Sequence, residues 1–298
     1  IFHANIVNEV LYEKEFNIDY IGFHGQTIYH NADEKISKQL GDGNLLSQLT
    51  KKKVVYNFRQ KDLDNGGQGA PLTPIFHLML KKKLNLKDTT FINIGGIINS
   101  TLISSDNILR ATDHGPGMCL VDAWIRKKTN ERFDINGDIA RAGKIDKLIL
   151  NQALDNFLFN EEYKINKNDS NYSIKSFDIN DFDISFVKGL SLEDGAATLL
   201  EFTAKIIESI LNKNYQSNTS GKVFLCGGGR KNDFLTEKIK NYYKNIFLID
   251  TLGFDGDFIE SQAFGYLAIR SLLKLPISFP ETTGCKNENT GGEIVENF

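Results

Sequence analysis

Short apolar runs rich in Ile, Val and Phe recur at residues 20–24, 54–58, 90–94, 99–103, 222–226 and 245–250. Runs of this length, bounded by polar or glycine-containing stretches, read as buried strands. Between them the apolar positions change to helical spacing. Pro71 stands at an expected first helical position, followed by Leu72, Ile75, Phe76 and Met79 on one stripe. Leu199, Thr203, Ile206 and Ile210, widened by Leu200, Ile207 and Leu211, form a second stripe behind a Ser191-x-x-Asp194 capping signal. A third helix is expected over residues 258–274. Strands alternating with helices make this an α/β protein.

Residues 160–183 are crowded with Asn, Asp, Lys and Ser, show no sustained period and read as a surface excursion. No internal repeat at a fixed short period is visible, which excludes solenoids and propellers. At 298 residues the chain exceeds a usual single core, so two lobes are expected. Hydrophobic content of 41% and charged content of 24% are ordinary for a globular chain, and no apolar run approaches the roughly 20 residues a spanning helix needs. A membrane protein is therefore not expected. Net charge is −3, and only Lys51 to Lys53 and Lys81 to Lys83 form basic runs, read as solvated faces or helix ends. That balance argues against a nucleic-acid partner. Three widely spaced cysteines, Cys119, Cys226 and Cys285, suggest neither disulfides nor zinc and fit a reducing cytoplasm. The first residues show no export signal and no initiator Met, an absence that suggests a start inside a longer reading frame or after processing.

Three glycine-rich segments each follow an expected strand: Asn93-Ile94-Gly95-Gly96-Ile97, Asp113-His114-Gly115-Pro116-Gly117 and Cys226-Gly227-Gly228-Gly229-Arg230-Lys231-Asn232. Glycine after a strand lets backbone N–H groups approach phosphate oxygens. One such segment is explained as well by a tight turn, but three together favour a nucleotide. The middle segment runs into an amphipathic helix through Met118, Val121, Trp124 and Ile125, whose N-terminus is expected to face an anion. Asp113 would stand beside that anion, either binding a phosphate-bound Mg²⁺ or deprotonating a nucleophile; a helix-capping Asp is the structural alternative.

A polar cluster fills the first third: His24-Gly25-Gln26-Thr27, His30, Asp42, Asn44, Arg59, Asp62 and Gly66-Gly67-Gln68-Gly69-Ala70-Pro71. Such donors and acceptors suit a sugar better than a metal. His24, His30 and His77 match no metal-binding spacing. Arg59 suits an anion or carboxylate, or an ion pair with Asp62.

Together these segments resemble the anhydro-N-acetylmuramic acid kinase family over essentially the whole chain. The resemblance rests on Ile21-Gly22-Phe23-His24-Gly25-Gln26-Thr27, Leu40-Gly41-Asp42, Asn57-Phe58-Arg59-Gln60-Lys61-Asp62, Gly66 through Leu72, the three glycine segments, Asp122-Ala123-Trp124, and Glu260 with Ala263-Phe264. It implies a two-lobed actin-like (ribonuclease H-like) ATPase fold, ATP and Mg²⁺ as cofactors, and hydrolytic opening of a 1,6-anhydro sugar with phosphorylation of O6. By the same resemblance Asp113 is the base. Gly95, Gly96, Gly115 and Gly117 line the phosphates, while Gly227, Gly228, Gly229 and Asn232 approach the adenosine. His24, Gln26, Thr27, Asp42, Arg59 and Gln68 face the sugar, and Mg²⁺ arrives with ATP near Asp113 or Glu260. A small-molecule sugar is the partner, with a homodimer allowed for.

Two departures accompany the resemblance. The family's opening Gly-x-Met-Ser-Gly-Thr-Ser-x-Asp-Gly loop has no counterpart here, so the first lobe is expected to be N-terminally truncated, with apolar surface and strand edges exposed near residues 20–24. His114 stands where the family usually has Thr, and Met118 where it usually has Asn. The first lobe is expected at residues 1–88 and 258–298, the second at 89–257. A non-catalytic remnant binding sugar or a partner, and an actin-like kinase for another sugar, remain alternative readings.

Overall fold

Val54 and Val55, both wholly buried, show why the apolar runs become strands: β-branched side chains fit a pleated surface covered on both faces. The computed structural model describes residues 1–14, 17–167, 177–214 and 221–298. Its helices are α1 (Phe2–Lys14), α2 (Gly43–Thr50), α3 (Gln60–Asp64), α4 (Pro74–Lys83), α5 (Cys119–Lys128), α6 (Asp138–Ala142), α7 (Lys147–Lys167), α8 (Leu192–Asn214), α9 (Asp233–Tyr242), α10 (Ile259–Leu272) and α11 (Pro280–Thr283). The strands are β1 (Tyr20–Gly22), β2 (Gln26–Asn31), β3 (Ile36–Leu40), β4 (Lys53–Tyr56), β5 (Thr89–Ile94), β6 (Ile97–Ile103), β7 (Leu109–Pro116), β8 (Lys222–Cys226), β9 (Ile246–Leu248) and β10 (Glu293–Val295). The mixture is an α/β fold, and the chain divides into two compact units.

The first unit comprises Ile1–Lys83, Leu109–Ala111 and Glu260–Phe298. Its sheet has the order β1-β4-β10, with β1 parallel and β10 antiparallel to β4. β1 is thus an edge strand, and Tyr20 on it is exposed, while Ile21 and Phe23 pack beside Ala4, Leu46 and Val54. A second cluster joins Val55, Phe58, Leu72, Phe264, Leu267 and Ile277. β2 and β3 form a separate antiparallel hairpin. Helix α4 starts at Pro74 rather than Pro71. Thr73 offers its carbonyl to the amides of Phe76 and His77, so Pro74 takes the first helical place, where its missing N–H costs nothing. Lys81 to Lys83 form the last turn of α4, a helix end as expected, although Lys81 is buried there.

The second unit comprises Leu84–Ile108 and Thr112–Ile259, and its sheet has the order β7-β6-β5-β8-β9. β5 runs antiparallel to β6 and parallel to β8, which is parallel to β9. The central β5 is buried nearly throughout, as expected for a strand covered on both faces. Helices α5 and α8 supply much of that cover. Trp124 is wholly buried and donates its indole N–H to the Leu192 carbonyl at 2.9 Å. Ser191 caps α8 by accepting from the Asp194 amide at 3.1 Å, while the Asp194 carboxylate takes the Lys144 amide at 2.7 Å instead of completing the box.

The expected excursion at 160–183 is helical in its first part, since α7 continues to Lys167. Residues 168–176 of it lie outside the described residues. Among the described residues, no helix is long and apolar enough to cross a membrane.

Candidate active site

β5 and β8 are parallel, so the glycine turns that follow them emerge at one end of the sheet. The bend at the end of β7 joins them there: the amides of Gly117 and Met118 donate to the Gly96 and Gly95 carbonyls at 2.8 Å each. On the other side, Cβ atoms added at Gly227 or Gly229 would collide with Asn93 or Ile94 of β5. Three segments, the last more than a hundred residues beyond the other two in sequence, therefore meet at the carboxyl edge of one sheet. Ligands of open α/β sheets gather at such an edge.

Asp113 lies on β7 just before this bend. Its Oδ2 accepts from the Phe177 backbone N–H at 3.1 Å, which orients the carboxylate. It is not a helix cap, since α5 begins at Cys119 behind Met118. His114 faces Ser100, with Nε2 2.7 Å from the hydroxyl, and Met118 is packed in the core. The amides of Gly117 and Met118, ahead of α5, and of Cys119, its first residue, donate to the Gly95 and Gly96 carbonyls, because the bend packs directly on the β5–β6 turn; an anion at this helix start would be met by the amides that follow them. Gly117 is required by this approach, since a Cβ there would strike the Gly95 carbonyl. Gly115 is likewise backed by the Phe157 ring. The glycine at 228 differs: an added Cβ would meet nothing within 4 Å.

Asn232, expected beside the adenosine, is 5% exposed and caps α9, its Oδ1 accepting from the Leu235 amide at 2.9 Å. A polar residue between turn and helix is the natural cap, and the cap uses only Oδ1. Cys119 is no nucleophile in waiting, since burial pushes its thiol up to about 11.

In the first unit, His24, Gln26, Thr27, Arg59 and Glu260 line one cavity of about 390 Å³ with Ser261 and Phe264. The His24 ring stacks on Phe264 at 4.2 Å between centroids. Arg59 Nε donates to His24 Nε2 at 2.9 Å and Nη1 to the Gly69 carbonyl at 2.6 Å. Accepting at Nε2 places the imidazole proton on Nδ1, which donates to the Gly25 carbonyl at 2.8 Å. Burial foremost, then the Arg59 charge, lowers the His24 pKa to about 4, so the ring is neutral near pH 7. Both ring nitrogens therefore have protein partners, and His24 presents a ring edge to the cavity and accepts from Arg59.

Two further residues expected at the sugar have structural partners. Asp42 is the N-cap of α2, its Oδ1 accepting from the Asn44 and Leu45 amides at 2.8 and 3.1 Å. Gln68 does not line the cavity; its carbonyl faces His30 Nε2 at 2.9 Å and its amide donates to the Thr283 carbonyl. The buried Asp62 holds this segment, taking the Gly69 amide and the Thr283 hydroxyl at 2.7 Å each. Sequence pattern gave no signal for Ser261 as a lining residue, nor for Arg230, which merely follows three glycines.

An α/β sheet carrying glycine turns at its strand ends, in a chain whose other unit holds a polar pocket, is consistent with the actin-like ATPases, and within them with sugar kinases. A family model for anhydro-N-acetylmuramic acid kinase matches residues 1–297, and the chain belongs to that family. It is 54% identical to the anhydro-N-acetylmuramic acid kinase of Pelagibacter ubique (strain HTCC1062), a match covering 100% of this chain and 79% of that protein. The kinase of the same name from Brucella canis is 37% identical over 99% of this chain and 79% of its own length. That of Methylobacterium nodulans is 38% identical over 97% and 76%.

Proposed function

We propose that this chain is a cytoplasmic anhydro-N-acetylmuramic acid kinase, using ATP to convert the anhydro-sugar to N-acetylmuramic acid 6-phosphate in peptidoglycan recycling. Family membership over residues 1–297 supports the reaction class. The observation that carries the residue assignment is the position of Asp113, on the strand leading into a bend interlocked with the β5–β6 turn.

In this reading Asp113 takes a proton from water as the water oxygen bonds to the anomeric carbon. The bridging C1–O6 bond breaks, O6 bonds to the γ-phosphorus, and ADP leaves. One carboxylate thus serves both bond changes. The Gly95-Gly96 turn takes the phosphates and the Gly228 face the adenosine. Gln26, Thr27 and Arg59 contact sugar hydroxyls and carboxylate in the cavity that His24 helps to shape. Mg²⁺, when bound, would supply charge neutralisation at the phosphate oxygens. One carboxylate, from Asp113 or Glu260, would hold that ion together with phosphate and water. The three free cysteines suit a reducing compartment.

The test is an assay for the 6-phosphate with ATP and the anhydro-sugar. Asp113→Asn should lower kcat by about 10²–10⁴-fold with an unchanged melting temperature. Full activity in that variant would remove Asp113 from the role.

A further inference from the structure

Arg230 follows the glycine turn after β8 and is 4% exposed, so its N–H donors must be met inside the protein. Nη1 donates to the Gly227 carbonyl at 3.0 Å and to Asp257 Oδ1 at 2.8 Å. Nε and Nη2 fork onto Asp250 at 2.8 and 3.0 Å, and Asp255 lies 3.7 Å from Nη2. Lys231 pairs with the other oxygen of Asp257. Asp250 also accepts from the Gly256 amide at 3.2 Å, and a Cβ at Gly256 would collide with the guanidinium. One planar side chain thus ties the turn after β8 to the segment after β9. Bidentate pairing of this kind fixes geometry as well as charge.

The turn it holds is constrained on its other flank too. Gly227 has φ +77° and packs with Gly229 against Asn93 and Ile94, whereas Gly228 faces open space. Anchored on two sides and vacant on a third, the turn has the form of a preorganised ligand platform. A surface salt bridge alone would not need a buried arginine bonded to the turn's own carbonyl.

We infer that Arg230 is a positioning residue for the nucleotide, fixing the turn so that its open face at Gly228 receives the adenosine end of ATP. The inference rests on the proposed assignment of that turn to the nucleotide, so the experiment separates the two. In the full chain, Gly228→Leu, Arg230→Lys and Asp250→Asn are titrated with ADP by calorimetry. KM for ATP, KM for the anhydro-sugar, kcat and melting temperature are measured alongside. Gly228→Leu, which the protein itself accommodates at Cβ, should weaken ADP binding at unchanged melting temperature. Arg230→Lys and Asp250→Asn should each raise the ADP Kd and the KM for ATP by about tenfold, the scale of one lost charge-assisted hydrogen bond, with kcat and the sugar KM unmoved.

If Gly228→Leu leaves ADP binding intact, the assignment of the turn falls and the inference with it. If Gly228→Leu weakens ADP while the other two variants do not, the assignment stands and Arg230 is only structural. Equal rises in both KM values would also overturn the inference. Should Arg230→Lys fail to fold, Asp250→Asn decides, because its carboxylate is 41% exposed and Asn preserves its shape.

Discussion

Replacing His24 by Gln keeps an oxygen that can accept from Arg59 Nε while removing the only titrating atom of the pair. The imidazole pKa falls from 6.5 to about 4, chiefly through burial, with the Arg59 charge adding to the fall and the Gly25 carbonyl opposing it. Between those values the unfolded chain binds more protons at this position than the folded one. Its contribution to stability is therefore full above pH 6.5 and is lost as pH drops toward 4. The whole displacement corresponds to at most ~3.4 kcal/mol. The ring edge is open to the cavity, so solvent screening leaves about half, roughly 1.5–2 kcal/mol. Urea unfolding at pH 7.5 and pH 4.5 measures it, taken as the wild-type loss minus the loss in His24→Gln. His77, lowered by burial to about 3, contributes with the same sign in both proteins and cancels. Parallel stability profiles for the two proteins would show that the imidazole is not held neutral against Arg59, and the tautomer assignment would fall.

Asp42→Ala should cost about 1 kcal/mol through loss of the α2 cap while leaving the KM for the sugar unchanged; a large rise in that KM would restore Asp42 to the binding site. Asp62→Ala should cost about 3 kcal/mol, since a buried acceptor of two short hydrogen bonds is removed, and should raise the sugar KM because Gly69 then no longer holds Arg59. Calorimetric melting together with steady-state kinetics checks both.

The strands were legible where β-branched runs were continuous: the runs at 90–94 and 222–226 become β5 and β8 almost residue for residue. The β2–β3 hairpin was not, because Gln26–Asn31 and Ile36–Leu40 are largely polar and pair over a surface with no sustained apolar alternation. α4 was placed three residues early because Pro71 and Pro74 both satisfy the helix-start rule, and only the Thr73 carbonyl distinguishes them. At the candidate site, residue type was readable but hydrogen-bond partner was not. His24 looked like a ligand-binding histidine, and its neutrality comes first from burial and then from Arg59, thirty-five positions away, neither of which the local pattern reveals. The amides of Gly117, Met118 and Cys119 looked free for an anion because sequence gives no sign that two remote glycine carbonyls lie against them. Arg230 carried no motif of its own, since its carboxylate partners come twenty or more residues later.

The interlock between the bend after Asp113 and the Gly95-Gly96 turn has an evolutionary consequence. Each loop is the other's hydrogen-bonding wall, so a change in one alters the space the other must fill, and paired substitutions there should show strong epistasis. Drift in either loop alone would be purged, whereas compensated pairs could survive. A library that randomises both turns together should yield active clones that libraries varying one turn at a time never contain.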